Sequence, residues 1–323
     1  MTNRVLYATV TGCTGLLSIQ TEAGYSMISA NAVVECTTST LSMGDAISID
    51  LGYDDDHSEI FSGFVKKINR ITPDSIIQIT ANDVLVRAVD YFLAADDPES
   101  PLTFHSIDDR DLVNSLLGEC GLSTVSGQPL PSFTFGTNED GAKFNLQSIA
   151  EAIQFVCNVT GRLCWAVGSN IYYDDRKPYK VAGDTITGTW TTGASGQIIN
   201  ISKESDNSKI RDRIICYGKT PIRASAEDAS PYTVVRQTAV IAHELIDLQS
   251  LADATCAVNL ELLKGLPITW TLDLMGDSSI LPRTLYHIDE SFTLSNNDVF
   301  IYKVAQNFSS SGFLTNVVAT ASI

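Results

Sequence analysis

The stretch from residue 281 to residue 323 constrains the fold more than any other part of the chain. Apolar residues recur there with a period of two, around Leu285 and again through residues 299–304 and 313–318. A run of serines ending at Gly312 separates the last two segments, and Pro282 precedes the first. Alternation bounded by Pro or by Gly and Ser clusters is typical of half-buried antiparallel strands. We therefore predict three strands here, which must pair with strands elsewhere in the chain.

Residues 1–80 carry the same kind of pattern. Turn signals such as Thr72-Pro73 and an acidic tip from Asp54 to His57 separate short strand-like runs. Six strands are predicted, at residues 5–10, 15–20, 32–37, 46–51, 60–71 and 75–80. Short strands at such close spacing predict a small barrel or sandwich.

Helical spacing begins at Asp83, the predicted N-cap of a helix that reaches Phe92. A second helix is predicted from a capping-box-like start at Ser106 to a stop at Gly121. The apolar spacing of a third helix runs from Leu146 to Val156, and this helix is predicted to end at Gly161. A hairpin of strands 163–167 and 170–173 follows, then a loose stretch rich in Thr, Gly and Ser at residues 185–196. These elements predict a small α+β unit.

From residue 198 the chain is again rich in strand patterns. Strands are predicted at residues 198–201, 213–217, 233–241 and 269–274, with a helix at about 248–264. The predicted fold class is mainly β with an α+β insert. Two small, tube-like β-barrel or sandwich units, residues 1–92 and 198–323, are separated by a middle α+β domain, residues 93–197.

The two predicted β units show a weak internal repeat. A single ungapped shift aligns Ile49 with Ile288, Phe61 with Phe300, and Val65 with Val304. The identities are few, but strand, acidic loop, strand, turn and strand recur in the same order. We therefore predict a duplicated β unit.

Composition excludes several classes of function. The chain of 323 residues has a net charge of −17, which disfavours wrapping of nucleic acid or docking on anionic lipid. No apolar run is long enough to span a membrane, and the N-terminal pattern resembles a strand more than a targeting segment. Seven scattered cysteines without a Cys-x-x-Cys pair are read as small buried apolar residues in a reducing compartment.

No catalytic, cofactor-binding or metal-binding residues are predicted. The acidic tip from Asp54 to His57 is interpreted as a solvated loop rather than a metal site, and His243 and His287 as packing or surface residues. The segment from Gly193 to Gly196 lacks the last Gly of a nucleophile elbow. Gly12 to Gly15 lacks the Lys of a phosphate-binding loop. We expect no cofactor and no enzymatic activity.

The order of features resembles the late-control-D-type family of bacteriophage tail or baseplate hub proteins, and the hub part of VgrG-like proteins. The resembling segments are Phe61 to Val65 with residues 77–80, Arg211 to Gly218, residues 248–264, Leu281-Pro282, Tyr302 to Val304, and Phe308 to Thr315. In the family, Arg211 to Gly218 would correspond to the strand that opens the second barrel. The family pattern also leads us to expect a Gly-Asp pair after Pro282. Arg283-Thr284 stands there instead, whereas Gly44-Asp45 occupies the equivalent place in the first unit.

The resemblance implies a homotrimeric structural virion protein at the phage tail tip. It would join a hexameric tail tube, or a distal tail protein, to a threefold tip, spike or fibre protein, contact the tape measure protein, and let DNA pass. Assembly in the host bacterial cytoplasm, no sequence-specific binding of nucleic acid, and no fused spike or lytic domain are expected with it. A tail-associated hydrolase and a glycan-binding β-sandwich adhesin remain the alternatives.

Overall fold

The computed structural model describes residues 4–24, 29–54, 56–94, 97, 99–124, 133–175, 183–193, 196–230, 236–265, 267–291, 293 and 295–322. The chain is mainly β with an α+β part, as predicted. The first strands are β1 (Leu6–Val10), β2 (Cys13–Gly24), β3 (Asn31–Ser39), β4 (Ala46–Tyr53), β5 (Asp56–Ile71), β6 (Ile76–Asp83), β7 (Leu102–Phe104), β8 (Ile107–Asp108), β9 (Thr134–Phe135), β10 (Ala142–Phe144), β11 (Arg162–Val167) and β12 (Asn170–Asp175). The others are β13 (Gly188–Thr191), β14 (Ile198–Ser205), β15 (Arg213–Tyr217), β16 (Arg223–Glu227), β17 (Thr238–Ala242), β18 (Pro267–Met275), β19 (Leu285–Glu290), β20 (Ser295–Ser309) and β21 (Gly312–Ser322). The helices are α1 (Val86–Asp90), α2 (Asp109–Gly118), α3 (Ile149–Thr160) and α4 (Gln249–Leu263), with a 3₁₀ turn at Asn207–Lys209.

One twelve-stranded sheet contains both β units. Its order is β1-β4-β5-β6-β3-β2-β20-β21-β18-β14, and β19 joins it beside β20, with β13 beyond β19. Alternating burial explains these strands: in β3, Ala32, Val34 and Cys36 face the core while their neighbours do not. The three strands predicted at the end of the chain are β19, β20 and β21.

The two β units have the same strand order. We call β1 to β6 the first β unit, and β13, β14 and β18 to β21 the second β unit. The first is ordered β1-β4-β5-β6-β3-β2 and the second β13-β19-β20-β21-β18-β14, so each reads a-d-e-f-c-b when its strands are lettered in chain order. One pairing differs: β1 is antiparallel to β4, whereas β13 is parallel to β19. The predicted repeat therefore exists in the topology.

Bulges change the residue alignment of that repeat. Strand β5 bulges between Val65 and Lys67, and β20 bulges between Ile301 and Lys303. Just before these bulges, Phe64 lies opposite Ala46, and Phe300 lies opposite Leu285. The structural equivalent of Phe300 is therefore Phe64 rather than Phe61, because an ungapped shift cannot follow the inserted residues.

Neither β unit closes into a barrel among the described strands. Residues 18–24 of β2 pair with residues 303–309 of β20. The outer edge of β2 is therefore paired with a strand of the second unit and not with a strand of the first. β20 in turn pairs with β2 and β19 along one edge and with β21 along the other. The expected tube-like barrels are instead two segments of one open sheet, which share β20.

Among the described residues, three hydrophobic cores lie under these elements. Two belong to the first and second β units, centred on residues such as Ile49 and Trp270. The third, in the middle of the chain, combines α1 to α3 and the β11–β12 hairpin with residues of α4, β15 and β16. Helix α4, assigned in the sequence to the second β unit, thus packs with the middle core. The boundaries 92/93 and 197/198 stay predictions.

The helices begin later than their sequence patterns indicate. Helix α3 starts after Ser148, whose hydroxyl and Glu151 form a capping box, so Leu146 lies outside the helix and is 60% exposed. Asp108 rather than Ser106 caps α2. α1 starts at Val86, with Leu85 as its N-cap residue. The predicted end of α3 is confirmed, because Gly161 takes the left-handed conformation there.

Two segments were assigned wrongly from the sequence. The stretch at residues 185–196, predicted to be loose, contains strand β13, whose Trp190 is buried and stacks on Tyr286 with ring centroids 4.2 Å apart. Strand β15, expected to open the second barrel, lies instead in a separate sheet ordered β16-β15-β17. The second β unit opens with β13 instead.

Candidate functional site

The acidic tip from Asp54 to His57 connects strands of the first β unit. His57 Nδ1 lies 2.9 Å from Asp50 Oδ1, and its ring stacks on Tyr7 with centroids 3.8 Å apart. Arg4 donates to Asp56 at 2.8 Å, and the backbone N–H of Val5 donates to Asp54 at 3.1 Å. Asp55 lies outside the described residues. These contacts give the tip a structural role at the β1, β4 and β5 ends.

The other histidines singled out in the sequence also make local contacts. His287 pairs with Asp298 across β19 and β20, with Nδ1 2.7 Å from Oδ1. His243 lies against Phe155 with ring centroids 3.5 Å apart, and burial lowers its pKa below the ordinary value. In the described part of the chain, no group of three or more His, Cys, Asp or Glu residues is placed to hold a metal ion.

The glycine-rich segments join strands. Gly12 lies in the turn between β1 and β2. Gly193 accepts a hydrogen bond from the N–H of Gly196 at 3.0 Å between β13 and β14, and residues 194–195 lie outside the described part. All seven cysteines are free thiols, four of them buried. No helix among the described residues is long and apolar enough to cross a membrane.

A buried ion pair that was not predicted from the sequence joins α2 to β11 in the middle unit. Arg162 and Asp109 form a salt bridge with both side chains 1% exposed, and Arg162 Nε also donates to Asp175 at 3.1 Å. Tyr173 donates its hydroxyl proton to Asp109 at 2.9 Å, and burial raises the pKa of this tyrosine. The Arg immediately after the helix-ending Gly161 was the available signal. Solvent exclusion gives this network a structural role.

Asp83 is a second buried carboxylate, at the end of β6. It accepts hydrogen bonds from the N–H of Ala30 at 2.8 Å, the hydroxyl of Ser29 at 2.8 Å and the N–H of Leu85 at 3.0 Å. Burial raises its pKa from 3.8 to about 6, although the three donors oppose this change. Asp83 also lines a small cavity between the two β units and the β11–β12 hairpin, which Pro282 and Gly168 border.

The two β units are joined by an antiparallel ladder between β2 and β20. We call the ladder between β2 and β20 the seam. Seven residue pairs form it, from Ser18 opposite Ser309 to Gly24 opposite Lys303. Lys303 Nζ lies 2.8 Å from Glu22 Oε1 across the seam, with each side chain 36% exposed. The seam joins two like units through the edges of their strands. Separate subunits can join their sheets in the same way, by adding a strand of one to the edge of the other.

Arg283 connects the second β unit to the middle unit. Its guanidinium pairs with Asp174 and lies over the Trp165 ring, 5.1 Å from the centroid. Arg283 has a φ of +69°, and Gly44 with a φ of +86° occupies the equivalent place in the first unit. The equivalence is shown by matched hydrogen bonds: Gly44 N–H donates to Val65 O at 2.8 Å, and Arg283 N–H donates to Ile301 O at 2.7 Å. Arg283, which stands where the family pattern has Gly, therefore connects the two units from a backbone conformation that favours glycine.

Comparison with solved structures finds the same architecture over nearly the whole chain. A tail protein from Neisseria meningitidis MC58 matches with a TM-score of 0.73 and 10% identity, over 98% of this chain and 96% of that one. The 43 kDa tail protein of prophage MuSo2 from Shewanella oneidensis matches with a TM-score of 0.64 and 13% identity, over 98% and 97%. This chain has the fold of phage tail proteins.

The fold extends to secretion machinery. The E. coli c3393 protein, described as a type VI secretion component similar to T4 tail proteins gp27 and gp5, matches with a TM-score of 0.60 and 6% identity, over 98% of this chain and 77% of that one. No protein-family model and no curated protein matches the sequence. The resemblance stated from the sequence is confirmed as a likeness of fold.

Proposed function

We propose that this protein is a structural component of a phage tail tip or baseplate, a hub that forms a ring. The observation that carries the proposal is the duplicated strand order a-d-e-f-c-b within one chain. Three subunits with two like units each present six like units, which matches a hexameric tube to a threefold tip. The tail-protein fold supports the same role.

The partners follow from this position in the particle. The ring would contact the tail tube or a distal tail protein on one side and a tip, spike or fibre protein on the other, with the tape measure protein and then DNA passing through. The net charge of −17 fits a channel that DNA phosphates do not adhere to. Replacing channel-facing carboxylates with lysines should slow DNA release, and unchanged ejection kinetics would contradict this part of the proposal.

The decisive experiment measures the mass and shape of the purified full-length protein. We expect a trimer by native mass spectrometry and rings with a central channel by negative-stain microscopy. A strict monomer that binds no tail component would overturn the ring.

The two alternative functions are distinguished by other readouts. Turnover of peptidoglycan by the purified protein would favour a tail-associated hydrolase. A measurable affinity for sugars without ring formation would favour a glycan-binding adhesin. The ring proposal expects neither result.

A further inference from the structure

Two segments equivalent to the seam strands pair on one side only in the described part of the chain. They are β14, and residues 67–71 of β5 beyond the end of β4. In the described part of the chain, β14 pairs with β18 alone, and residues 67–71 of β5 pair with β6 on one edge only. β14 is the equivalent of β2 in the shared strand order, and β5 is the equivalent of β20. The chain therefore joins strand b of its first unit to strand e of its second. Among the described residues, β14 (strand b of the second unit) and residues 67–71 of β5 (strand e of the first) have no strand on their other edge.

Bulges fix which residues of these edges correspond. Strand β2 shifts register between Leu16 and Ser18, and β14 shifts between Ile198 and Asn200. Counting from these shifts places Glu204 of β14 at the position of Glu22 in β2. In the same way, the shifts after Val65 in β5 and after Ile301 in β20 place Lys67 at the position of Lys303.

The cores confirm this alignment. In the first unit Ile19, Val34, Ile79 and Ile68 lie opposite one another across β2, β3, β6 and β5. In the second unit Ile201, Leu272, Val317 and Val304 form the same row across β14, β18, β21 and β20. A register error of one residue would have put one row on the wrong face.

The alignment reproduces the ion pair of the seam. Glu22 and Lys303 pair across the seam at 2.8 Å, and the equivalent residues Glu204 and Lys67 have the same charges in the same order. Both Glu204 and Lys67 are exposed. Lysines on an edge strand also discourage unwanted pairing, but that role does not require an acidic residue at the matching place on the other open edge.

We propose that β14 of one copy of this chain pairs antiparallel with residues 67–71 of β5 in the next copy, with Glu204 diagonal to Lys67 as Glu22 is to Lys303 in the seam. This contact rests on the proposed ring, in which it would be the interface between neighbouring subunits. Transferring the seam register places Ser205 of one copy opposite Ile68 of the next. Because the partner contact repeats the internal one, successive copies add head to tail, and the ring closes when the rotation allows it.

One pair opposes association in this register. Lys203 falls opposite Arg70, where the seam has Thr21 opposite Gln306. The ammonium of Lys203 lies over the Trp270 ring, 5.7 Å from its centroid, which provides a partner within its own subunit. Replacing this lysine with the residue found at the equivalent position, Lys203→Thr, should therefore tighten association.

Charge reversal in the full-length protein tests the interface. We expect Glu204→Lys and Lys67→Glu each to weaken self-association about five- to thirty-fold, since each turns a cross-strand attraction into a repulsion. The double variant Glu204→Lys/Lys67→Glu should associate more tightly than Lys67→Glu alone, but less tightly than the native protein, because the register also places Asp206 opposite residue 67. Sedimentation velocity over a concentration series provides the measurement, and added salt should reduce the single-variant effects.

Matched controls separate the interface from general effects of charge. Lys143→Glu makes the same change in net charge as Lys67→Glu on exposed residue 143 of β10, and it should leave association unchanged. Lys303→Glu, within the seam, should lower the midpoint of thermal unfolding of the dissociated subunit, measured at low protein concentration, whereas Lys67→Glu should not.

The possible outcomes distinguish this inference from the proposed function. Self-association that is unaffected by both single reversals would overturn the Glu204–Lys67 interface and leave the ring intact. A native protein that stays monomeric in every condition would overturn the ring itself. Weakened single variants, with a double variant that associates more tightly than Lys67→Glu alone, would establish the contact.

Discussion

The guanidinium of Arg283 lies over the indole ring of Trp165, 5.1 Å from its centroid, and pairs with Asp174 on the same hairpin. One residue of the second β unit therefore contacts both strands of the β11–β12 hairpin. It does so from a backbone with a φ of +69°, which costs free energy for any residue with a Cβ atom. The contact and the backbone conformation oppose each other, so they can be separated by substitution.

We expect Arg283→Ala to destabilise the protein by about 2 kcal/mol, because it removes a partly buried ion pair and a cation–π contact while keeping the unfavourable φ. Arg283→Gly loses the same contacts but relieves the backbone. It should therefore be more stable than Arg283→Ala by about 1 kcal/mol, the reverse of the usual order in regular structure. Chemical denaturation of both variants provides the measurement, and a less stable Gly variant would contradict the argument.

The buried pair of Arg162 and Asp109 should be costly to break. Removal of one partner leaves an uncompensated charge, so Arg162→Met should destabilise the protein by about 3–5 kcal/mol. Arg4→Met removes an ion pair whose partners are 54% and 75% exposed, and it should cost less than about 1 kcal/mol. Urea unfolding would compare them. The double variant Arg162→Met/Asp109→Asn should lose less than the sum of its single substitutions, and additive losses would indicate that the two residues act independently.

Asp83 should make stability depend on pH in a defined direction. Its pKa in the folded protein, about 6, exceeds the value of 3.8 expected when unfolded, so the folded state binds the proton more tightly. The resulting stabilisation is complete below about pH 4 and is lost as the pH rises through about 6, with a total of about 3 kcal/mol.

The measurement for Asp83 is the difference in unfolding free energy between the native protein and Asp83→Asn from pH 7 to pH 4. We expect the native protein to gain stability relative to the variant as the pH falls. A constant difference would show that the three hydrogen-bond donors to Asp83 cancel the effect of burial.

Two glycines with left-handed backbones offer a matched steric test. A Cβ atom at Gly161, with a φ of +69°, would lie 2.2 Å from Val258 Cγ1 of α4. At Gly44, with a φ of +86°, a Cβ atom would meet nothing within 4 Å. Gly44→Ala should cost about 1 kcal/mol for its backbone alone, and Gly161→Ala should cost about 1–3 kcal/mol more because α3 and α4 must separate. Equal losses of thermal stability in the two variants would show that α4 can move away from residue 161 at no cost in free energy.

The strands could be predicted from the sequence because burial alternates along them. Ile47, Ile49 and Leu51 point inward from β4, and this periodicity is visible without knowledge of any partner strand. Strand β13 could not be predicted, because Trp190 is its only large apolar residue and the others are Thr and Gly. Its partner, β19, lies almost a hundred residues later in the chain. A Trp within a Thr-rich stretch was the sequence signal that could have indicated strand β13.

Pairing partners could not be predicted in the same way. The apolar pattern of β15 predicts a strand but does not indicate which sheet contains it. Long-range contacts with β16, β17 and α4 determine that. The bulges at Lys66 and Tyr302 are similarly invisible, because an inserted residue changes the register without changing composition. The seam, and with it the candidate interface, depends on those registers and so required the structure.

The sharing of β20 between the two β units has a mechanical consequence. Force applied to one unit reaches the other through the seven-residue ladder between β20 and β2, whose hydrogen bonds resist separation together. A subunit built in this way transmits displacement from one end to the other without an internal hinge at this junction.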